Sequence, residues 1–253
     1  MIAQVEFPPI NNIVDWEPYF GEDTFFQFDK VSLIMLLAVV IPSILFLMAG
    51  AKKAMVPGGV QSVAEGSVGF VSDIVDQTIG PDGKKYLPLM MAFFWFLLIC
   101  NITEVIPTFQ MPATARMGAP LVLALVAFFF SIGVGIKHHG AKYFTNTVVV
   151  PGLPPALHLL VVPIEILSNF FIKPFSHAVR LFANMLAGHI LLVTFGVLCI
   201  AVWALNPLLL AIVPAFAMLV ALTGFEIMVA FLQAYIFTLL AGVYIGSALH
   251  PDH

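Results

Sequence analysis

Residues 155–205 read PALHLLVVPIEILSNFFIKPFSHAVRLFANMLAGHILLVTFGVLCIAVWAL, with no turn signal strong enough to split them. At 1.5 Å per residue, one helix over this stretch is roughly 75 Å long, more than twice the ~30 Å hydrocarbon core of a bilayer. A second apolar stretch, 207–249, makes a helix of roughly 65 Å on the same arithmetic. Asn206-Pro207 supplies the turn between them, and Pro163 and Pro174 are bend points in the first. Helices this long must tilt steeply or bend to stay in a membrane. Two of them packed as a hairpin suggest a wall built to follow something curved.

The rest of the chain agrees with lipid as its solvent. Of 253 residues, 61% are hydrophobic and 9% charged, against about 25% charged in soluble domains. One core could not hide so much apolar surface. The net charge of −4 is unevenly spread: six of the fourteen acids precede residue 30, and 181–253 holds no Lys or Arg. No basic patch exists for nucleic acid to bind. Cys100 and Cys199 sit inside apolar runs and read as buried small hydrophobes. The segment 1–30 lacks a basic stretch followed by an apolar one, so it is not read as a signal peptide. It reads as an acidic extracytoplasmic segment, with Pro8, Pro9, Asn11 and Asn12 opposing a long helix.

Upstream of the hairpin, 31–50 is an uncharged span. Residues 54–80 differ in kind. Val60, Val63, Phe70, Val71, Ile74 and Val75 recur at helical spacing while Gln61, Glu65, Asp73, Asp76 and Gln77 take the other faces. That pattern predicts an amphipathic helix on the membrane surface. Spans at 86–107 and 118–136 follow. If spans alternate, Lys52, Lys53, Lys84, Lys85, Lys137 and Lys142 fall on one side, and Lys30 and Arg116 on the other. The positive-inside rule then puts the N-terminus outside and the C-terminus in the cytoplasm. The fold class expected is an all-α polytopic membrane protein. It has five membrane-embedded helices, the last two a long tilted hairpin, plus one amphipathic surface helix, with 31–253 as a single membrane domain.

Charges at membrane depth cost at least about 2.5–3.5 kcal/mol each, so each is a functional candidate. Arg180 has no Lys or Arg within six positions and shares its helical face with Ala183, Asn184 and Ala187. Snorkelling reaches only a turn or two. A fixed guanidinium on a smooth face of small residues invites an anion from another chain. His189, nine residues on, lies on the opposite face. Glu226 and Gln233 are seven residues apart on the second long helix, sharing a face. Folding the hairpin at 206–207 brings His189 and Glu226 to similar depth, where they form either a structural pair or a proton relay. Glu104 and Glu165 lie near span ends, and position alone leaves each as an interfacial carboxylate or part of a proton path. His158 and His177 stay unassigned. The sequence holds no HExxH, nucleotide-binding glycine loop or nucleophile elbow, so no catalytic site and no cofactor are expected.

Four segments together carry a family resemblance. Arg180-Leu181-Phe182-Ala183-Asn184-Met185, continuing to Ala187-Gly188-His189, resembles the RLFxNxxAGH/E segment of subunit a of the F-type ATP synthases, bacterial type. Leu232-Gln233-Ala234-Tyr235-Ile236-Phe237 resembles that family's LQAFIF stretch. Val56-Pro57-Gly58 and Asn101 through Pro107 (NITEVIP) resemble its VPG and N-x-x-D/E-x-x-P segments, in the same order. The resemblance covers residues 30–245. It implies a stator for a rotor ring of c subunits, alongside peripheral-stalk b subunits and the rest of F1F0, in the bacterial cell membrane. Arg180 matches the stator arginine, and His189 and Glu226 match an outer half-channel pair. Asn184, Gln233 and Glu104 match further outer half-channel positions. Glu165 approximates a cytoplasmic half-channel acid, one residue off in its spacing to Lys173-Pro174 in some members. The competing readings are a proton-coupled secondary transporter and a self-contained channel. The first calls for inverted repeats, which are not seen; the second calls for Arg180 paired within the chain.

Overall fold

The computed structural model describes residues 28–51, 58–106, 109–140, 142–149, 154–204 and 209–250. Most of the acidic segment, Lys52 and Lys53, Val56-Pro57, Pro107 and the Asn206-Pro207 turn lie outside these residues. The chain is an all-α polytopic membrane protein, with no strand among the described residues. Five helical stretches are long and apolar enough to cross a bilayer.

Helix α1 spans Lys30–Ala51, and Asp29 fixes its start. Oδ1 of Asp29 accepts hydrogen bonds from the Ser32 backbone N–H and hydroxyl, both at 2.9 Å. This satisfies one of the amides that a helix N-terminus leaves without an intrahelical partner. The other carboxylate oxygen lies 2.5 Å from Nη1 of Arg116, tying the start of α1 to the segment before the third span. Leu36, Val39, Ile44 and Leu47 of α1 are exposed, as lipid-facing positions should be.

Helix α2 spans Val60–Thr78. Its Val71, Ile74 and Val75 are buried, while Glu65, Asp73, Asp76 and Gln77 are exposed. The apolar face is thus used against protein, with the Phe70 ring in tilted contact with those of Phe94, Phe231 and Tyr235. Val60 and Val63, read from sequence as part of that face, are exposed at the start of the helix. A 3₁₀ turn at Pro81–Tyr86 leads into α3, Leu87–Ile102. Helix α4 spans Gly118–His139, and a short α5 covers Lys142–Val148.

Between α3 and α4 the chain folds back into the protein: Met111, Ala113, Thr114 and Ala115 are almost fully buried. The sequence reads this stretch simply as a loop. Its small side chains let it pack against the later helices.

The long first arm is a continuous rod of three parts: α6 at Pro155–Ile166, a π-helical turn at Leu167–Ile172, and α7 at Lys173–Ala204. The Lys173 N–H bonds to the Ser168 carbonyl, five residues back. Pro174 has no N–H to offer the Phe170 carbonyl, so the ordinary ladder is already interrupted where the wide turn ends. The second arm is α8, Leu209–Leu249, which packs against α3, α4 and α7. Leu181 and Met185 of α7 meet Ala234, Phe237, Ala241 and Ile245 of α8 in the main core, together with Met90 and Leu97 of α3.

Candidate functional site: a buried acid–histidine cluster beside an open arginine

The two arms run antiparallel, and their contacts step in register. The Glu226 carboxyl lies against Gly188, Gln233 Nε2 donates to the Arg180 carbonyl at 3.3 Å, and the Phe237 ring meets the His177 ring at 4.0 Å between centroids. Each step back along α7 is matched by a step forward along α8.

At the Gly188 level a buried cluster forms. Glu104, just past the end of α3, is 3% exposed, His189 5% and Glu226 4%. Nδ1 of His189 is 4.0 Å from Oε1 of Glu104. Glu226 is near enough for its charge to act on Glu104. Gly188 makes this possible: a Cβ there would overlap the Glu226 carboxyl. Oε1 of Glu104 and Oε2 of Glu226 accept no hydrogen bond among the described residues. Two carboxyls and an imidazole packed this closely, with acceptor oxygens to spare, suit the passage of a proton from group to group.

Nearby residues hold the cluster in place. Thr114 Oγ1 donates to Asn101 Oδ1 at 2.7 Å, and both side chains are fully buried. Thr103 Oγ1 donates to the Cys100 carbonyl at 2.8 Å. The inturned segment before α4 therefore clamps the end of α3 where Glu104 emerges. Sequence reasoning missed Thr114 because nothing in a short polar loop marks it as turning inward.

Arg180 is exposed, on the same face of α7 as Ala183, Asn184 and Ala187, which are exposed too. Among the described residues no carboxylate lies within ion-pair distance of it. Asn184, matched by resemblance to the outer half-channel, belongs to this open face and not to the buried cluster. Gln233 is buried and reaches the Arg180 backbone instead of the Glu226 carboxyl.

Glu165 stands apart from all of these. Its Oε2 accepts from Asn169 Nδ2 at 2.7 Å, and Lys173 donates to the Asn169 side-chain oxygen. The three are four residues apart along the rod, across the π-helical turn. They line a cavity of about 460 Å³ together with Thr78, Ser247 and His250. Tyr143 also borders it; burial pushes its phenol above the ordinary value, against a hydrogen bond with Thr147 that works the other way. It keeps its proton at neutral pH. Asn169 and Lys173 follow Glu165 at successive i, i+4 helical spacings, whereas Thr78, Tyr143, Ser247 and His250 come from other elements and were not legible from spacing. His177, left unassigned by the sequence, is 4% exposed inside the hairpin.

Comparison with known proteins identifies the family. The family model described as ATP synthase A chain matches residues 31–246. The chain is 42% identical to the ATP synthase subunit a of Rhodococcus erythropolis over 90% of its own length and 84% of the relative's. It is 43% identical to that of Bradyrhizobium diazoefficiens over 89% of this chain and 90% of the other. With that of Pseudarthrobacter chlorophenolicus it shares 38% identity over 89% and 86%. With a family model matching nearly the whole helical region, and relatives this similar over most of both chains, the chain belongs to the ATP synthase A chain family.

Proposed function

We infer that this chain is the stator subunit of the membrane sector of an F-type ATP synthase, giving protons a path to and from a carboxylate on a rotor ring. It has no catalytic site of its own and serves a complex whose chemistry is elsewhere. The observation that carries the reading is Arg180. It sits on an exposed face lined by small residues, with no internal carboxylate in reach among the described residues. A self-contained channel would need that charge paired within the chain.

In this reading a proton from outside passes Glu104, His189 and Glu226 and neutralises a carboxylate on a ring of c subunits lying against the Arg180 face. A neutral carboxyl can cross lipid cheaply, while an ionised one cannot. After rotation the carboxyl releases its proton towards the Glu165 cavity, and Arg180 holds the carboxylate so formed. The guanidinium does not give up its proton, so it also blocks a direct leak between the two paths. Asn184, beside Arg180 on the open face, and Gln233 are taken as further members of the outer half-channel. Each proton crossing 100 mV supplies about 2.3 kcal/mol, so several must pass per ATP. The peripheral-stalk b subunits and the rest of F1F0 complete the assembly.

The proposed orientation, N-terminus outside and C-terminus cytoplasmic in a bacterial cell membrane, draws support from two contacts. Lys85 Nζ lies 3.4 Å from His138 Nε2, and His139 Nε2 lies 2.9 Å from the Leu249 carbonyl. They gather the cationic ends of α3 and α4 with the end of α8, while Arg116 meets Asp29 elsewhere.

The test is ATP-driven proton pumping in membrane vesicles bearing the assembled complex. Arg180→Ala should abolish pumping while the chain still copurifies with a ring of small subunits. Arg180→Lys should be a poor substitute, because a lysine at depth can lose its proton. Normal pumping by Arg180→Ala would sink the reading.

A further inference from the structure

His177 is buried between the two arms, and neither ring nitrogen has a hydrogen-bond partner among the described residues. Its ring packs edge-on against Phe237 at 4.0 Å and lies 5.6 Å from the ring of Tyr244. Buried polar atoms are nearly always hydrogen-bonded, and an imidazole brings both a donor and an acceptor. A residue needed only to fill this space would be apolar, as Phe237 opposite it is.

Position gives the unsatisfied ring a use. His177 lies one turn from Arg180, close enough for the arginine's charge to act on it. Towards the other end, Lys173 is four residues earlier on the same rod, and Ser247 is three residues past Tyr244 on α8. Both Lys173 and Ser247 line the cavity that holds Glu165. His177 and Tyr244 thus stand one turn deeper than the cavity wall, between it and Arg180. The groups acting on His177 from its own helix and from α8 are Arg180 and Tyr244, with Lys173 one turn away.

We propose that His177 carries protons between the rotor carboxyl held near Arg180 and the Glu165 cavity, through waters bound at its two ring nitrogens. This rests on the stator reading above. The step balances simply. A proton released by the carboxyl arrives at one nitrogen and forms the imidazolium. The proton on the other nitrogen then leaves to water on the cavity side and restores the neutral ring. One proton enters, one leaves, and no other bond changes. The positive charge of Arg180 opposes the imidazolium, and the carboxylate left by the transfer offsets that opposition by pairing with the arginine. His177 therefore loads only when a protonated rotor carboxyl is in place to give up its proton beside Arg180, which links proton release to ring position.

The experiment uses inverted vesicles with the whole complex, whose cytoplasmic face is outward. ATP-driven pumping is measured, and then passive proton conduction after the soluble sector is stripped. His177→Phe keeps an aromatic ring against Phe237 and removes both nitrogens. It should lower passive conduction about tenfold or more, as expected on losing a positioned proton-transfer group. It should also flatten the dependence of conduction on external pH. His177→Gln, which can still bond water, should recover part of the flux. Wild-type conduction and an unchanged pH profile in His177→Phe, with pumping still abolished by Arg180→Ala, overturn the proposal and leave the stator reading standing. Normal pumping in Arg180→Ala removes both. Should His177→Phe not assemble, His177→Cys decides: silver ion added to the external, cytoplasmic face should block conduction, and insensitivity to it overturns the proposal.

Discussion

Nδ1 of His189 lies 4.0 Å from Oε1 of Glu104, with both side chains almost wholly removed from solvent. The two residues come from different spans, so the contact depends on the inturned segment and on α7 together. If they act as one relay, losing either breaks the same step. We therefore expect Glu104→Gln and His189→Ala each to reduce ATP-driven pumping, and the double variant to be no worse than the weaker single one. Groups in contact show interaction energies of about 0.5–3 kcal/mol. Fully multiplicative losses in the double variant would mean that the two groups serve separate steps.

Gly188 offers a sharper probe because it carries no chemistry. A Cβ there would overlap the Glu226 carboxyl, a flexible side chain that can be pushed aside. Gly188→Ala should therefore leave the chain assembled while displacing the Glu226 carboxyl. Misplacing a positioned proton-transfer group slows the step it serves, and a loss of about tenfold or more in pumping is expected. Shortening the acid in a Gly188→Ala, Glu226→Asp pair should restore some of it. If Gly188→Ala pumps at the wild-type rate, Glu226 is not a carrier at this position.

How much of this was legible in sequence depends on whether a residue's role is set locally. The length of 155–205, the isolation of Arg180 and the amphipathic pattern around Val71 and Ile74 are written in neighbouring residues, and these decide the fold class. The depth argument that paired His189 with Glu226 rested only on counting from a turn. In the structure, Glu226 rests on Gly188, the residue before that histidine. Side-chain partners across helices were not legible. Glu104 meets His189, Thr114 meets Asn101, and Gln233 reaches the Arg180 backbone. Each depends on rotation and inclination of whole helices, which periodicity constrains only to within a face. His177 was unreadable for the same reason: a lone histidine in an apolar helix looks alike whether its ring is satisfied or not.

The contact between Asp29 and Arg116 predicts a stability that depends on pH. Burial raises the Asp29 pKa, but hydrogen bonds from Ser32 and the Arg116 guanidinium outweigh it, and the carboxyl ends below its ordinary value of 3.8. A carboxyl with a lowered folded pKa contributes stability at pH above its unfolded value, and loses it as pH falls through the folded one. The contribution is thus complete at pH 7 and fades only below about pH 4. Asp29→Ala should lower the stability of the purified assembly by about 1 kcal/mol at pH 7, the usual cost of a lost N-cap. The gap from wild type should narrow below pH 4. Thermal melting in detergent at both pH values checks this, and a gap independent of pH would place the cost elsewhere than in the ionised carboxylate.

Two glycines on α8 set how closely α2 approaches, and they should respond differently. A Cβ on Gly246 would collide with the Thr78 backbone carbonyl, with the carbonyl carbon at 3.2 Å and Ile79 Cα at 3.5 Å. Backbone at a helix end cannot rotate away, so α2 must move off α8. A Cβ on Gly242 meets the Thr78 hydroxyl instead, a side chain that now donates to the Ile74 carbonyl at 2.7 Å and can turn to another rotamer. Gly246→Ala should accordingly cost about 1–3 kcal/mol of stability, as overpacking does, and Gly242→Ala less. Thr78 and Gly246 also line the Glu165 cavity; if that cavity is the proposed proton path, Gly246→Ala should slow proton conduction as well, by moving one of its walls. Comparing melting temperature and passive conduction in the same stripped vesicles separates the two effects. Equal losses from both substitutions would show that the Thr78 backbone does not set the spacing of α2 from α8.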